Sequence, residues 1–231
     1  MKKLGLIGGI GPESTIPYYH DIVYGVKERV GKNFFPNITI ESINVFEVLR
    51  LCKEQNYEDL VNYLSLAINN LSAAGAEFAA LTGNTPHIVF EELKARSPIQ
   101  LVSIVDATAD EAKQKGFKRL GLIGTEVTMK GDFFKRPFIA NGIDIIVPAA
   151  AEIDYINEKI ANELEIGIVR QETQQEFMKI IEKMQQEENA QALILGCTEL
   201  PLLFKNISAN ILLLDTMKIH VNKLIDMILE E

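Results

Sequence analysis

Short apolar runs alternate along the chain with longer stretches whose apolar residues recur at helical spacing. The runs at 4–7, 38–43, 78–81, 101–104, 120–123, 143–147, 193–195 and 211–213 are flanked by Gly, Pro, Asn or charged residues and are predicted as buried strands. The stretches 14–30, 46–74, 85–95, 108–115, 154–167 and 172–188 carry helix-period apolar positions, and a last helix is predicted over 216–231. Strands alternating with helices predict an α/β fold, with parallel sheets covered by helices on both faces.

The pattern also repeats. Lys3-Leu4-Gly5-Leu6-Ile7-Gly8 recurs as Arg119-Leu120-Gly121-Leu122-Ile123-Gly124, a shift of about 115 residues. Nearly the same shift relates Ala80-Leu81-Thr82-Gly83-Asn84-Thr85-Pro86 to Ile194-Leu195-Gly196-Cys197-Thr198-Glu199-Leu200. Both later segments follow a predicted strand and open a predicted helix. Either the chain is an internal duplication, or common design rules produced two similar strand–turn–helix units. Under duplication, Gly83 and Cys197 are equivalent positions. Two such domains facing each other would set these turns on opposite walls of one cleft. Ligands bind outside the carboxyl ends of strands in open α/β sheets, and clefts between domains are common sites.

Composition narrows the class. The chain has 231 residues, 47% apolar and 24% charged, the profile of an ordinary globular protein. A net charge of −9 argues against a nucleic-acid backbone as partner, but leaves room for an anionic small substrate in a locally positive pocket. The two cysteines, Cys52 and Cys197, stand far apart and suggest no disulfide framework. Met1-Lys2-Lys3 leads into an apolar run too short for a signal peptide, and no apolar stretch reaches the ~18 residues of a membrane span. The expectation is a cytoplasmic protein.

The turns hold the candidate chemistry. Cys197, between strand and helix, is expected to feel unpaired amides and the helix macrodipole, which favour the thiolate; the alternative is a buried structural Cys. Thr198 offers a hydroxyl and Glu199 a carboxylate to cap the helix or orient a partner. Asn84 and Thr85 supply amide and hydroxyl groups suited to a carboxylate or phosphate, or to plain N-capping. Gly8-Gly9-Ile10-Gly11-Pro12-Glu13-Ser14-Thr15 permits a tight turn whose amides, at Gly9 and Ile10 among others, could cradle an anion. Pro12 makes it a poor dinucleotide fingerprint. Thr125 and Thr128 occupy the matching loop of the second half. His20, His87 and His220 lack metal-ligand spacing, so no metal is expected; His87 is read either as support for the site or as a structural His. No lysine is singled out for pyridoxal phosphate.

Four segments together resemble the signature of the aspartate/glutamate racemase superfamily. They are Gly8 to Thr15, Gly83-Asn84-Thr85-Pro86-His87, Gly124-Thr125 through Thr128-Met129, and Gly196-Cys197-Thr198-Glu199. The resemblance spans the whole chain. It implies two flavodoxin-like α/β domains related by a pseudo-twofold, residues 1–100 plus 214–231 and residues 101–213, with the active site in the cleft between them. It further implies chemistry without a cofactor, a small amino-acid or dicarboxylate substrate, and a homodimer. In the typical member each half supplies one Cys, because one rigid base reaches only one face of the α-carbon. That pattern carries the second-half thiol onto Cys197 and the first-half thiol onto Gly83, which has no side chain. Thr82, His87 or a bound water is then the candidate second acid, and Cys52 is read as core. Arg170 resembles a stretch where the family places a cationic contact to the substrate's side-chain carboxylate; a solvated helix-start Arg is the other reading, and Arg50 has a weaker claim of the same kind. The leading expectation is a racemase of aspartate, glutamate or a related amino acid. The alternatives are a single-thiol decarboxylase or lyase, like the arylmalonate decarboxylases, and a lapsed carboxylate-binding protein.

Overall fold

A computed structural model describes residues 1–31, 33–205, 207 and 209–230, apart from the side chains of Pro12 and Glu13. The helix-start role considered for Glu13 and the closing Glu231 therefore lie outside the described residues.

The apolar runs become strands, rich in branched and small residues and buried most completely at the centre of each sheet. These are β1 (Leu4–Gly8), β2 (Ile38–Ser42), β3 (Phe78–Leu81), β4 (Gln100–Val102), β5 (Arg119–Gly124), β6 (Asp144–Ile146), β7 (Ala192–Gly196) and β8 (Leu212–Asp215). In β1, β3 and β7 every residue is buried, as a sheet covered on both sides requires. The helices are α1 (Pro12–Val30), α2 (Val45–Lys53), α3 (Tyr57–Ala73), α4 (Phe90–Arg96), α5 (Ile104–Gln114), α6 (Glu126–Lys130), α7 (Asp132–Ala140), α8 (Ala150–Asn162), α9 (Gln171–Gln186) and α10 (Thr216–Leu229).

The chain divides into two compact units, Met1–Ile104 with His220–Glu231, and Val105–Ile219. The first contains a parallel sheet ordered β2-β1-β3-β4, the second a parallel sheet ordered β6-β5-β7-β8. Each is the same winding, with the first strand of the unit second from the edge, as in flavodoxin-like sheets. The repeated LGLIG segments are β1 and β5, and each pairs with the strand that leads into its unit's candidate turn. Two sheets with one strand order, carrying the repeated segments at matching places, are what an internal duplication leaves.

In the first unit Ile7, Ala79 and Leu81 face α2, α3 and α4, where Leu51, Leu60, Leu64, Ile68, Leu71 and Leu93 complete an apolar core. The C-terminal helix α10 is tied to α1. Its His220 Nδ1 accepts a hydrogen bond from the Tyr18 hydroxyl at 2.7 Å, its Nε2–H donates to the Val102 carbonyl at 3.2 Å, and Arg29 pairs with Asp226 at the surface.

Several expected elements are revised. The predicted helix over 46–74 is two helices, because Gln55 turns left-handed (φ 54°) and Asn56 caps α3 by accepting the Asp59 amide at 3.3 Å. The strand predicted to Ile104 stops at Val102, and Ile104 instead opens α5. The stretch after Asn84 is a 3-10 turn, Thr85–Val89, before α4. The predicted helix 154–167 begins at Ala150, ends at Asn162, and is followed by a 3-10 turn, Leu164–Ile166, closed at the left-handed Gly167. Helices α6 and α7 arise in a stretch where periodicity predicts none; the first is capped by Thr125.

Candidate active site

In the second unit β7 delivers Cys197. The strand end is squeezed: a Cβ on Gly196 would lie 2.9 Å from Leu122 Cδ1, 3.0 Å from the Ile123 carbonyl oxygen and 3.0 Å from Thr128 Cγ2. Glycine therefore lets β7 run close along β5 before the chain turns out at Cys197. The Cys197 thiol, 8% exposed, donates to Glu199 Oε2 at 2.9 Å. The Thr198 hydroxyl donates to the same oxygen, also at 2.9 Å. Glu199 itself is buried.

This environment reverses the expected electrostatics. The element after Cys197 is not an α-helix but a five-residue 3-10 turn, Leu200–Phe204, so no long macrodipole points at the sulfur. Burial pushes the thiol pKa well above its ordinary value, and the negative charge and hydrogen bond of Glu199 push it further. The Glu199 amide acts in the opposite sense but is outweighed. The resting group is a protonated thiol leaning on a carboxylate.

Glu165, in the turn after α8, was not singled out by the sequence, although it sits in the stretch 163–167 considered beside Arg170. The residue is exposed overall, yet partial burial of its carboxyl and then the charge of Glu199 raise its pKa. Its charge in turn raises that of Cys197. Thr125 and Thr128 have inward roles. Thr125 Oγ1 accepts the Thr128 amide at 3.4 Å and lies 3.1 Å from the Thr128 hydroxyl, and Thr128 is wholly buried against Gly196. Arg170 stands at the N-cap of α9, its side chain 63% exposed, with Nε 3.7 Å from Glu163. Its observed partner is that carboxylate, which Thr173 and Lys159 also hold. Arg50 is likewise engaged on the surface, by Glu47 and Glu54.

In the first unit β3 leads into Thr82-Gly83-Asn84-Thr85. The Thr82 hydroxyl is fully buried and donates to the Ile7 carbonyl at 3.1 Å, which anchors the strand end to β1. As a proton donor for a substrate it is already committed. His87 is committed too. Its Nδ1–H donates to the Gly83 carbonyl at 3.0 Å, and its Nε2 accepts the Ile104 amide at 3.3 Å. The ring stacks on Phe90, and burial lowers its pKa to about 4, so it is a neutral brace for the turn. Asn84 is buried and Thr85 half-buried at the start of the 3-10 turn, with no side-chain cap at Asn84.

The Gly8–Thr15 turn differs from the expected anion cradle. Gly9 has φ +76° and lies against Ile43, whose carbonyl oxygen a Cβ would approach to 2.2 Å. Its amide donates to Thr15 Oγ1 at 2.9 Å, and the Ser14 hydroxyl donates to the Gly11 carbonyl at 2.7 Å. Ile10 is buried and packs over Gly83. Cys52 is buried in α2, as its helix pattern suggests, and burial raises its pKa to about 11. Among the described residues no cluster of three or more His, Cys, Asp or Glu is arranged to hold a metal ion, and no helix is long and apolar enough to cross a membrane.

The chain is similar to known proteins in sequence and in fold. A family model described as Asp/Glu/Hydantoin racemase matches residues 7–224. The broad specificity amino-acid racemase RacX of Bacillus subtilis is 23% identical over 223 residues, covering 92% of each chain. The crystal structure of an aspartate racemase homologue from Pyrococcus horikoshii is 35% identical, covers 100% of both chains and superposes with a TM-score of 0.86. The Picrophilus torridus aspartate racemase, at 22% identity and a TM-score of 0.77 over 99% of this chain and 94% of its own, shares the fold.

Proposed function

The chain belongs to the Asp/Glu/Hydantoin racemase family, and on that premise we propose that it is a cofactor-independent racemase of aspartate, glutamate or a related amino acid, with Cys197 as its proton-transferring thiol. The observation that supports this most is the hydrogen bond from the Cys197 thiol to Glu199 at 2.9 Å. A thiol held on a carboxylate can change its protonation state without solvent. To act as a base, Cys197 passes its proton to Glu199 Oε2, and the thiolate takes the α-proton. The C–H electron pair stays on the substrate and delocalises into its carboxylate as an enediolate. To act as an acid, the resting thiol gives its proton to that carbon, and the thiolate left behind regains one from solvent, by way of Glu199 Oε2. The Thr198 hydroxyl is committed to the same Glu199 oxygen and so holds that carboxylate in place for the exchange.

Racemisation needs protonation on the opposite face as well. Gly83 brings no side chain, and the Thr82 hydroxyl and both His87 nitrogens are bonded within their own unit. We assign the second proton to water, which predicts slow turnover or a strong preference for one direction. The same observations favour a second reading. A protonated thiol on one face alone suits decarboxylation of a substituted malonate, where loss of carbon dioxide yields the enediolate and Cys197 supplies the single proton.

The two readings separate in heavy water. Single enantiomers of aspartate and glutamate, followed by chiral chromatography and mass spectrometry, should gain one α-deuterium and yield the opposite enantiomer. Cys197→Ala should slow this ~10²–10⁴-fold, the usual contribution of a positioned acid–base group. Absence of exchange with every acidic amino acid, alongside carbon dioxide release from substituted malonates, would replace the first reading with the second.

A further inference from the structure

The turn at Gly83 is the counterpart of the turn at Cys197 in the repeated chain, and its backbone does not require glycine. Gly83 is absent from the residues of left-handed φ, which include Gly9 and Gly11 on the neighbouring loop. What excludes a side chain is a neighbour. A Cβ built on Gly83 would lie 2.9 Å from Ile10 Cγ2, while the Ile10 carbonyl oxygen at 3.4 Å and Ile10 Cβ at 3.5 Å stay within ordinary contact. One methyl group makes the obstruction.

That methyl cannot easily leave. Isoleucine branches at Cβ, so Cγ2 moves only if χ1 changes or the backbone shifts, and branching at Cβ restricts χ1. The Ile10 backbone is itself pinned. Its carbonyl shares the Ser14 hydroxyl, at 3.1 Å, with the Gly11 carbonyl at 2.7 Å, and the flanking Gly9 amide is held by Thr15 at 2.9 Å. The side chain is 9% exposed and therefore packed around as well.

We propose that Ile10 is a specificity-determining residue that keeps position 83 closed to any side chain, and so leaves the first unit's turn without an acid–base group. Ile10 and Gly83 are a coupled pair in which the β-branch of one substitutes for the side chain of the other. The steric part stands on the contact geometry alone; its consequence for chemistry rests on the racemase reading above.

The test is a cycle of variants read by thermal unfolding and, separately, by deuterium exchange. Overpacking against a fixed methyl should lower the Tm of Gly83→Cys by roughly 2–10 °C. Ile10→Leu keeps the volume but removes the β-branch, and Ile10→Ala removes the side chain beyond Cβ. In either background, adding Gly83→Cys should cost less than half the drop seen with Ile10 present. Ile10→Val keeps both γ positions and should give no relief, which separates the clash from a general loss of packing. Equal Tm losses in all four backgrounds would overturn the proposal, as would full tolerance of Gly83→Cys with Ile10 in place. In the relieved double variants, faster α-deuterium exchange from both enantiomers supports the chemical consequence. Coupled stabilities without any exchange would keep the steric inference and reject the racemase reading instead.

Discussion

Cys52 and Cys197 are both buried thiols, but only for Cys197 does a neighbouring charge shift the pKa. Burial alone raises Cys52 to about 11, whereas Cys197 is raised by burial, by the charge of Glu199 and by their hydrogen bond. Removing the carboxylate should therefore lower the pKa of Cys197 and leave Cys52 where it is. Since a shift of about one unit changes the thiolate fraction tenfold, Glu199→Gln should speed iodoacetamide labelling of Cys197 near pH 8 several-fold, read by peptide mass spectrometry. An unchanged or slower rate would remove Glu199 from its assigned position. Turnover should nonetheless fall in that variant, because the glutamine cannot accept the thiol's proton. The position of Cys197 after a buried strand was legible from the chain. Its protonation state was not, because that depends on a carboxylate two residues away folding back rather than pointing along a helix.

At the scale of elements, two N-caps separate stability from function. Asn56 starts α3 and Thr125 starts α6, each through a side-chain oxygen accepting an amide. Either change to Ala should cost about 1 kcal/mol in urea unfolding, the usual worth of such a cap. They should differ in activity. Asn56 sits at the surface of the first unit, so Asn56→Ala should leave exchange rates near the parent. Thr125 holds Thr128, which packs against Gly196 beside Cys197, so Thr125→Ala should also slow exchange. Equal activities of the two variants would detach α6 from the site. The α3 cap also shows why periodicity misled over 46–74. Apolar spacing ran on across the break, while Asn56 followed by Glu58 and Asp59 marked a new helix start that spacing alone does not register.

For the whole molecule, the buried histidines set the response to acid. His87 is lowered to about 4 by burial, and His220 to about 3 by burial and then by His87. Both folded values lie below the unfolded one, so the unfolded chain binds more protons between them. The stability is complete above about pH 6.5 and is lost as pH falls toward the folded values. The two together should remove on the order of 3–4 kcal/mol between pH 7 and pH 5. Urea midpoints across that range measure this, and a flat profile would refute it. Both rings hold backbone of the first unit, His87 at Gly83 and Ile104, His220 at Val102. Acid is thus expected to loosen the Gly83 turn along with the docking of α10.

Local rules suffice for a great deal here. Apolar runs bounded by turn residues set the strands, their alternation with helices set the parallel α/β class, and the repeat of LGLIG and of the two turns set the duplication, since each depends on neighbours in the chain. The signature segments also placed the family. What only the packed chain decided were the contacts between distant residues: Thr82 spent on Ile7, His87 spent on Gly83 and Ile104, and the Ile10 methyl standing over Gly83. Each depends on distances of a few tenths of an ångström between segments tens of residues apart, and no pattern of residue types along a chain encodes those.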